Sequence, residues 1–180
     1  MARIGAFCFP GTGHINPMTA LSRRLQQRGH EVVIFGIADM EAKVRAAGVE
    51  FSLIGERDYP LGTLQELDQR LGELSGLKTF KFTVERVKNT AIMVLRDGPG
   101  AARRANVDCM LVDEADMGGN VADYLGLPFH CVFSAACGGR PDSALLLWLG
   151  WWRRMGEPVT ESPGHAAAVS HRISNIGGGE

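Results

Sequence analysis

The sequence predicts an α/β domain, a Rossmann-like doubly wound parallel sheet of about five to seven strands. Three observations carry this expectation. Short apolar runs alternate with segments of helical periodicity from the first residues onward. Glycines punctuate the helical segments, at Gly29, Gly48 and Gly126. The first apolar run opens through a glycine-bearing turn into a helix, the arrangement that places ligands at the carboxyl ends of parallel strands.

The elements follow in order. Residues 4–9 read as a buried strand. The turn Pro10-Gly11-Thr12-Gly13-His14-Ile15-Asn16-Pro17 comes next, with Asn16 in N-cap position and Pro17 suited to the first helical residue. Met18, Leu21 and Leu25 then recur on one helical face, up to Gly29. Residues 31–36 read as a second strand, 38–47 as a short helix and 49–54 as a third strand. After a loop at 55–62 with Tyr59-Pro60, residues 63–74 read as a helix with Thr63 as its cap.

A longer helix starts at Leu77. Leu77, Phe80, Val84, Val87, Ala91 and Val94 form a stripe at steps of three and four, expected to pack on the sheet. Asp97-Gly98-Pro99-Gly100 is expected to interrupt this helix before it resumes to Ala105. Residues 107–113 read as a fourth strand ending on Asp113. Gly118-Gly119-Asn120 leads into a helix with Val121, Ala122 and Leu125 on one side, stopped by Gly126, and residues 127–133 read as a fifth strand. Beyond Ser134 the pattern weakens. Residues 137–180 read as a divergent, partly helical segment with a flexible tail, set apart from a domain at 1–136.

Composition excludes some functions. The 180 residues are 45% hydrophobic, enough for a sizeable core, and carry a formal charge of −1 with both signs interspersed. No basic stripe suggests nucleic acid. Cys8, Cys109, Cys131 and Cys137 lack close metal-ligand spacing and read as buried thiols of a reducing compartment. No signal-peptide pattern stands at the N-terminus. The apolar run at 145–152 is far shorter than the ~20 residues of a membrane span. A cytoplasmic protein is expected. The run's three tryptophans beside Arg153 and Arg154 leave open core packing, a face for a partner domain, and peripheral membrane contact.

Chemistry concentrates in the first turn. A dinucleotide fingerprint needs a third glycine where Asn16 stands, so a phosphate cradle is disfavoured. His14 sits at a helix start, where the positive partial charge disfavours imidazolium and keeps the ring able to take a proton. Asp113 ends another strand of the same sheet and can fix the ring's tautomer. The sequence offers no serine or cysteine nucleophile elbow, so the pair points to a base acting on a substrate hydroxyl. Glu114 and Asp116 are competing acidic candidates, each expected at a solvated position. His30, His130, His165 and His171 form no metal-binding spacing; His130 is expected in the core or a pocket. No metal is expected.

The motifs G-T-G-H-I-N-P after the first strand, R-G-H-E-V before the second and L-V-D-E followed by G-G-N-V-A-D-Y-L-G-L-P resemble those of nucleotide-sugar-dependent glycosyltransferases of the GT-B fold. The resemblance spans residues 3–136 and is to the N-terminal half of the group that includes macrolide, sterol and zeaxanthin glucosyltransferases. It implies one half of a GT-B fold, the acceptor-binding domain of an inverting transferase. His14 would be the base that deprotonates the acceptor hydroxyl and Asp113 its partner. Thr12, Gly13 and Ile15 of the turn, together with Tyr59, Phe80 and Ser134, would bind substrate. A UDP-sugar would be the donor substrate and no cofactor is implied. The acceptor would be an apolar small molecule or lipid bearing a hydroxyl. The donor-domain motifs of the family are missing, so transfer would need a donor-domain partner. The alternative is a non-catalytic subunit of a split transferase that recruits an acceptor or a membrane.

Overall fold

A parallel sheet of five strands, in the order β3-β2-β1-β4-β5, organises the protein. The computed structural model describes residues 1–133. The chain divides into two units, Met1–Ala135 and Ala136–Glu180. Ser134, Cys137, His165, His171, the tryptophan-rich run and the expected C-terminal segment lie outside the described residues.

Strand β1 (Arg3–Phe7) leads into α1 (Thr12–Gln27), then β2 (Glu31–Gly36), α2 (Ala38–Ala46) and β3 (Glu50–Leu53). Helices α3 (Thr63–Glu73) and α4 (Leu77–Ala105) follow, then β4 (Cys109–Asp113), α5 (Gly118–Leu125) and β5 (Phe129–Val132). Strand order runs outward from β1 to β3 and then restarts at β4 on the other side of β1. Helix α1 packs beside α2, and α4 beside α5. Right-handed crossovers put these two pairs on opposite faces of the sheet. Both faces of β2 are therefore covered, which is why Val32, Val33, Ile34 and Phe35 are buried in succession. Phe35 stacks on Phe7 of β1 with ring centroids 4.8 Å apart.

Three sequence expectations change. The first concerns the start of α1. The helix begins at Thr12, not after Asn16, because the Gly11 carbonyl already accepts from the N–H groups of His14 and Ile15. Pro17 lies inside the helix and leaves the Gly13 carbonyl without its usual intrahelical donor. The second concerns Thr63, which is not the cap of α3. Gly62 takes the cap position at φ 97°, and the Asp39 carboxylate accepts from the N–H groups of Gly62 (2.8 Å) and Leu64 (3.2 Å). A side chain from α2 thus supplies the cap that α3 lacks in its own sequence.

The third concerns α4, which is one helix through Asp97-Gly98-Pro99-Gly100. Gly98 is a packing position: a Cβ there would lie 3.1 Å from both Phe7 and Val121. The stripe at Leu77, Phe80, Val84 and Val87 does not pack on the sheet. These residues are exposed, and burial on α4 runs from Thr90 to Ala102. A helix of 29 residues is about 43 Å long, while a six-residue strand covers about 20 Å. The first half of α4 therefore projects past the sheet, where α3 lies against the helix.

Among the described residues β5 is the last strand on its side of the sheet. His130 and Cys131 lie exposed on it, against their expected burial, while Cys8 is buried and Cys109 partly so. Among the described residues no helix is long and apolar enough to cross a membrane.

Candidate active site

The strand order reverses between β1 and β4, the point of an open parallel sheet at whose carboxyl edge ligands collect. Phe7 is level with Val112 across the β1–β4 pair, so Asp113 emerges beside the turn that follows β1. That turn tightens through a Gly11 N–H bond to the Phe9 carbonyl at 2.8 Å and hands the chain to α1. The pairing of β1 with β4 thus delivers His14 and Asp113, 99 residues apart, to one place.

The His14 Nδ1 lies 3.0 Å from Oδ1 and 2.9 Å from Oδ2 of Asp113. Asp113 is fully buried, and its Oδ1 also accepts from the Ala115 N–H at 2.9 Å. A buried carboxylate needs such partners. It can only accept, so the proton of a neutral imidazole is assigned to Nδ1. The His14 side chain is 26% exposed, and the Phe9 ring meets its edge with centroids 5.4 Å apart.

Three neighbours complete the electrostatics. Glu114 brings a carboxylate oxygen into a group with His14 and Asp113 whose ligand atoms lie within 4.8 Å of one another. Among the described residues this is the group that could take a cation. Asp116 accepts from the N–H of Gly118, the first residue of α5, at 2.9 Å. Burial, with the nearby Asp113 charge, pushes its carboxyl up to about 7 against the opposing effect of that N–H bond. Glu114 and Asp116 are both partly exposed. Cys8 lies buried beneath this acidic group; burial first, and then Asp113, hold its thiol protonated and unreactive.

The other expected substrate contacts divide. Thr12 and Gly13 are exposed at the start of α1, with open space over Gly13. Ile15 is buried in the core. Tyr59 is buried and shares a 3.3 Å hydrogen bond with Thr90. Phe80 is 68% exposed and is not among the residues that line a neighbouring cleft.

That cleft, of about 420 Å³, opens between α3 and α4. Tyr59, Leu67, Phe82, Arg86, Met93 and Arg96 are among its walls. On α4 the lining residues Phe82, Arg86, Asn89, Met93 and Arg96 recur at helical spacing, on a different face from the exposed apolar stripe. Arg96 holds Asp97 through two hydrogen bonds (2.7 and 2.8 Å) and also binds Asp58. Asp97 accepts from the Gly55 N–H, so the loop before α3 is tied to α4. The Arg86 guanidinium lies 5.7 Å from the centre of the Phe9 ring, which links the cleft to His14.

Comparison with known proteins gives a consistent picture. Residues 9–98 match the glycosyltransferase family 28 N-terminal domain. A segment of 51 residues is 33% identical to the uncharacterized UDP-glucosyltransferase YojK of Bacillus subtilis (strain 168), covering 28% of this chain and 13% of that protein. Among solved structures, SsfS6, the glycosyltransferase of Streptomyces sp. SF2575, aligns over 73% of this chain and 39% of its own, at 22% identity and a TM-score of 0.55. The glycosyltransferase VinC in complex with DTDP aligns over 89% of this chain and 40% of its own, at 17% identity and a TM-score of 0.59. The chain spans well under half the length of these relatives.

Proposed function

The chain belongs to the family of the glycosyltransferase family 28 N-terminal domain, and from that premise we propose that it is the acceptor-binding half of an inverting, nucleotide-sugar-dependent glycosyltransferase. His14 is the general base. Its Nε2 takes the proton of an acceptor hydroxyl while the acceptor oxygen bonds to the anomeric carbon. The bond from that carbon to the nucleoside diphosphate breaks on the opposite face, and the electron pair leaves with the diphosphate. Asp113 keeps the proton of the resting ring on Nδ1 and stabilises the imidazolium that forms.

The observation that carries this reading is the contact of both Asp113 oxygens with His14 Nδ1, at the strand-order reversal where parallel α/β sheets bind ligands. Two relatives lend support. SsfS6 has been crystallised with thymidine diphosphate, and the spinosyn rhamnosyltransferase SpnG with spinosyn aglycone. The described residues take the acceptor side alone, with the α3–α4 cleft as the place for its body; donor binding is left to residues outside them. The test is transfer from a UDP- or dTDP-sugar to a hydroxyl-bearing aglycone by the chain joined to, or mixed with, a donor-binding domain. A glycoside of inverted anomeric configuration, identified by NMR, supports the reading. A retained configuration rejects it.

A further inference from the structure

The cleft between α3 and α4 is charged where an apolar acceptor needs no charge. Arg86 is the clearest case. Its side chain is only 10% exposed, yet a single hydrogen bond engages its guanidinium, from Nη1 to Asp68 Oδ1 at 2.8 Å. Asp68 itself is 60% exposed and stands at the rim. Arg86 lines the cleft, and among the described residues Asp68 alone accepts from its guanidinium, so its remaining N–H groups are open to a ligand there. A planar guanidinium with free N–H groups in a partly desolvated wall is suited to a carboxylate, through two parallel hydrogen bonds.

The cleft's other charges fit this assignment. Arg96 is already taken up by Asp97 and Asp58. Arg70 lies over the Phe82 ring at 5.4 Å and adds a second positive group. Glu85 opposes an anion, but it is exposed to water and so screened.

We infer that Arg86 is a specificity residue, selecting an acceptor that carries a carboxylate on a flat ring body, with the reacting hydroxyl at its other end. The inference rests on the reading of this cleft as the acceptor site. The Phe9 ring sits between the two contact points, 5.7 Å from the guanidinium and 5.4 Å from the His14 ring. These two legs bound the separation to the length of a few fused rings. Apolar surface for such a body comes from Leu67, Phe82 and Met93.

The test is direct binding to the full chain, followed by fluorescence. The probes are a hydroxynaphthoic acid with its carboxyl and hydroxyl at opposite ends of the ring pair, and its methyl ester. At neutral pH the acid should bind about tenfold more tightly than the ester, the scale of one charge-assisted hydrogen bond. Arg86→Gln should erase the preference. Arg86→Lys, which keeps the charge but loses the planar fork, should reduce it and serves if Arg86→Gln fails to fold, as checked by thermal melting. Asp68→Asn should keep the preference, because it removes only the rim partner. Equal binding of the two probes by the wild-type chain, or no binding of the acid, overturns the inference. So does an unchanged preference in the folded Arg86 variants. Loss of preference in Asp68→Asn to the same extent would make the pair a strut between α3 and α4, and overturns it too. Because the readout is binding without turnover, this outcome and that of the transfer assay are independent.

Discussion

Asp113 offers both of its carboxylate oxygens to Nδ1 of His14, at 3.0 and 2.9 Å, from a fully buried position at the end of β4. The geometry separates two roles that a surface pair could not. The carboxylate is held by the fold, and the imidazole that it contacts is partly exposed. Asp113→Asn tests this division. The amide oxygen can still accept from the Ala115 N–H, so the fold should persist. An amide cannot hold the ring in the same protonation state. Turnover should fall by about 10²–10⁴-fold, the scale of a positioned acid–base group, with acceptor binding retained. Kinetics with separate kcat and KM check it.

Asp116 makes stability depend on pH. Its folded-state carboxyl titrates near 7, above the ordinary 3.8, because burial disfavours its charge. Between those values the folded chain holds a proton that the unfolded chain has released. The associated stability is complete below 3.8 and is lost as the pH rises through about 7. Asp116→Asn keeps an oxygen for the Gly118 N–H and removes the titration. Denaturation midpoints across this interval should fall with rising pH for the wild-type chain, and fall less for the variant.

Asp39 caps α3 from α2, and its loss should loosen one wall of the cleft. Asp39→Ala leaves the N–H groups of Gly62 and Leu64 without that carboxylate. The expected cost is about 1 kcal/mol, the usual scale of a lost N-cap, read from urea unfolding.

Gly118 sets how closely α5 approaches β1. A Cβ at this position would lie 2.6 Å from the Cβ of Phe7, an atom fixed to the backbone of a central strand. Gly118→Ala should therefore destabilise the chain by roughly 1–3 kcal/mol, the range for overpacking a core. It should also shift the β4–α5 segment that carries Asp113 and Asp116. Thermal melting gives the first effect, and activity at a temperature where the variant is folded gives the second.

The sheet was legible because its strands are short apolar runs separated by helices that end on glycine. Gly29, Gly48 and Gly126 all take positive φ, as helix stops do. The His14–Asp113 pairing was legible because both residues follow strand ends, and adjacent parallel strands bring such ends together. What escaped reading depended on distant partners. Asn16-Pro17 looked like a helix start, yet local hydrogen bonds to the Gly11 carbonyl begin the helix earlier. The Leu77-to-Val87 stripe has the period of a buried face, but period does not reveal that the helix outruns the sheet. Tyr59 was expected to bind substrate as a loop aromatic; the structure also gives it a buried hydrogen bond with Thr90, which no local pattern encodes.

The central claim is that Nε2 of His14 takes the acceptor proton. Its most direct test is the single-turnover rate of sugar transfer by His14→Ala, with the chain joined to a donor-binding domain and both substrates saturating. The account predicts a fall of about 10²–10⁴-fold, with the variant folded and the acceptor still bound. A rate equal to that of the parent enzyme would contradict it and send the search for the base to Glu114 or beyond.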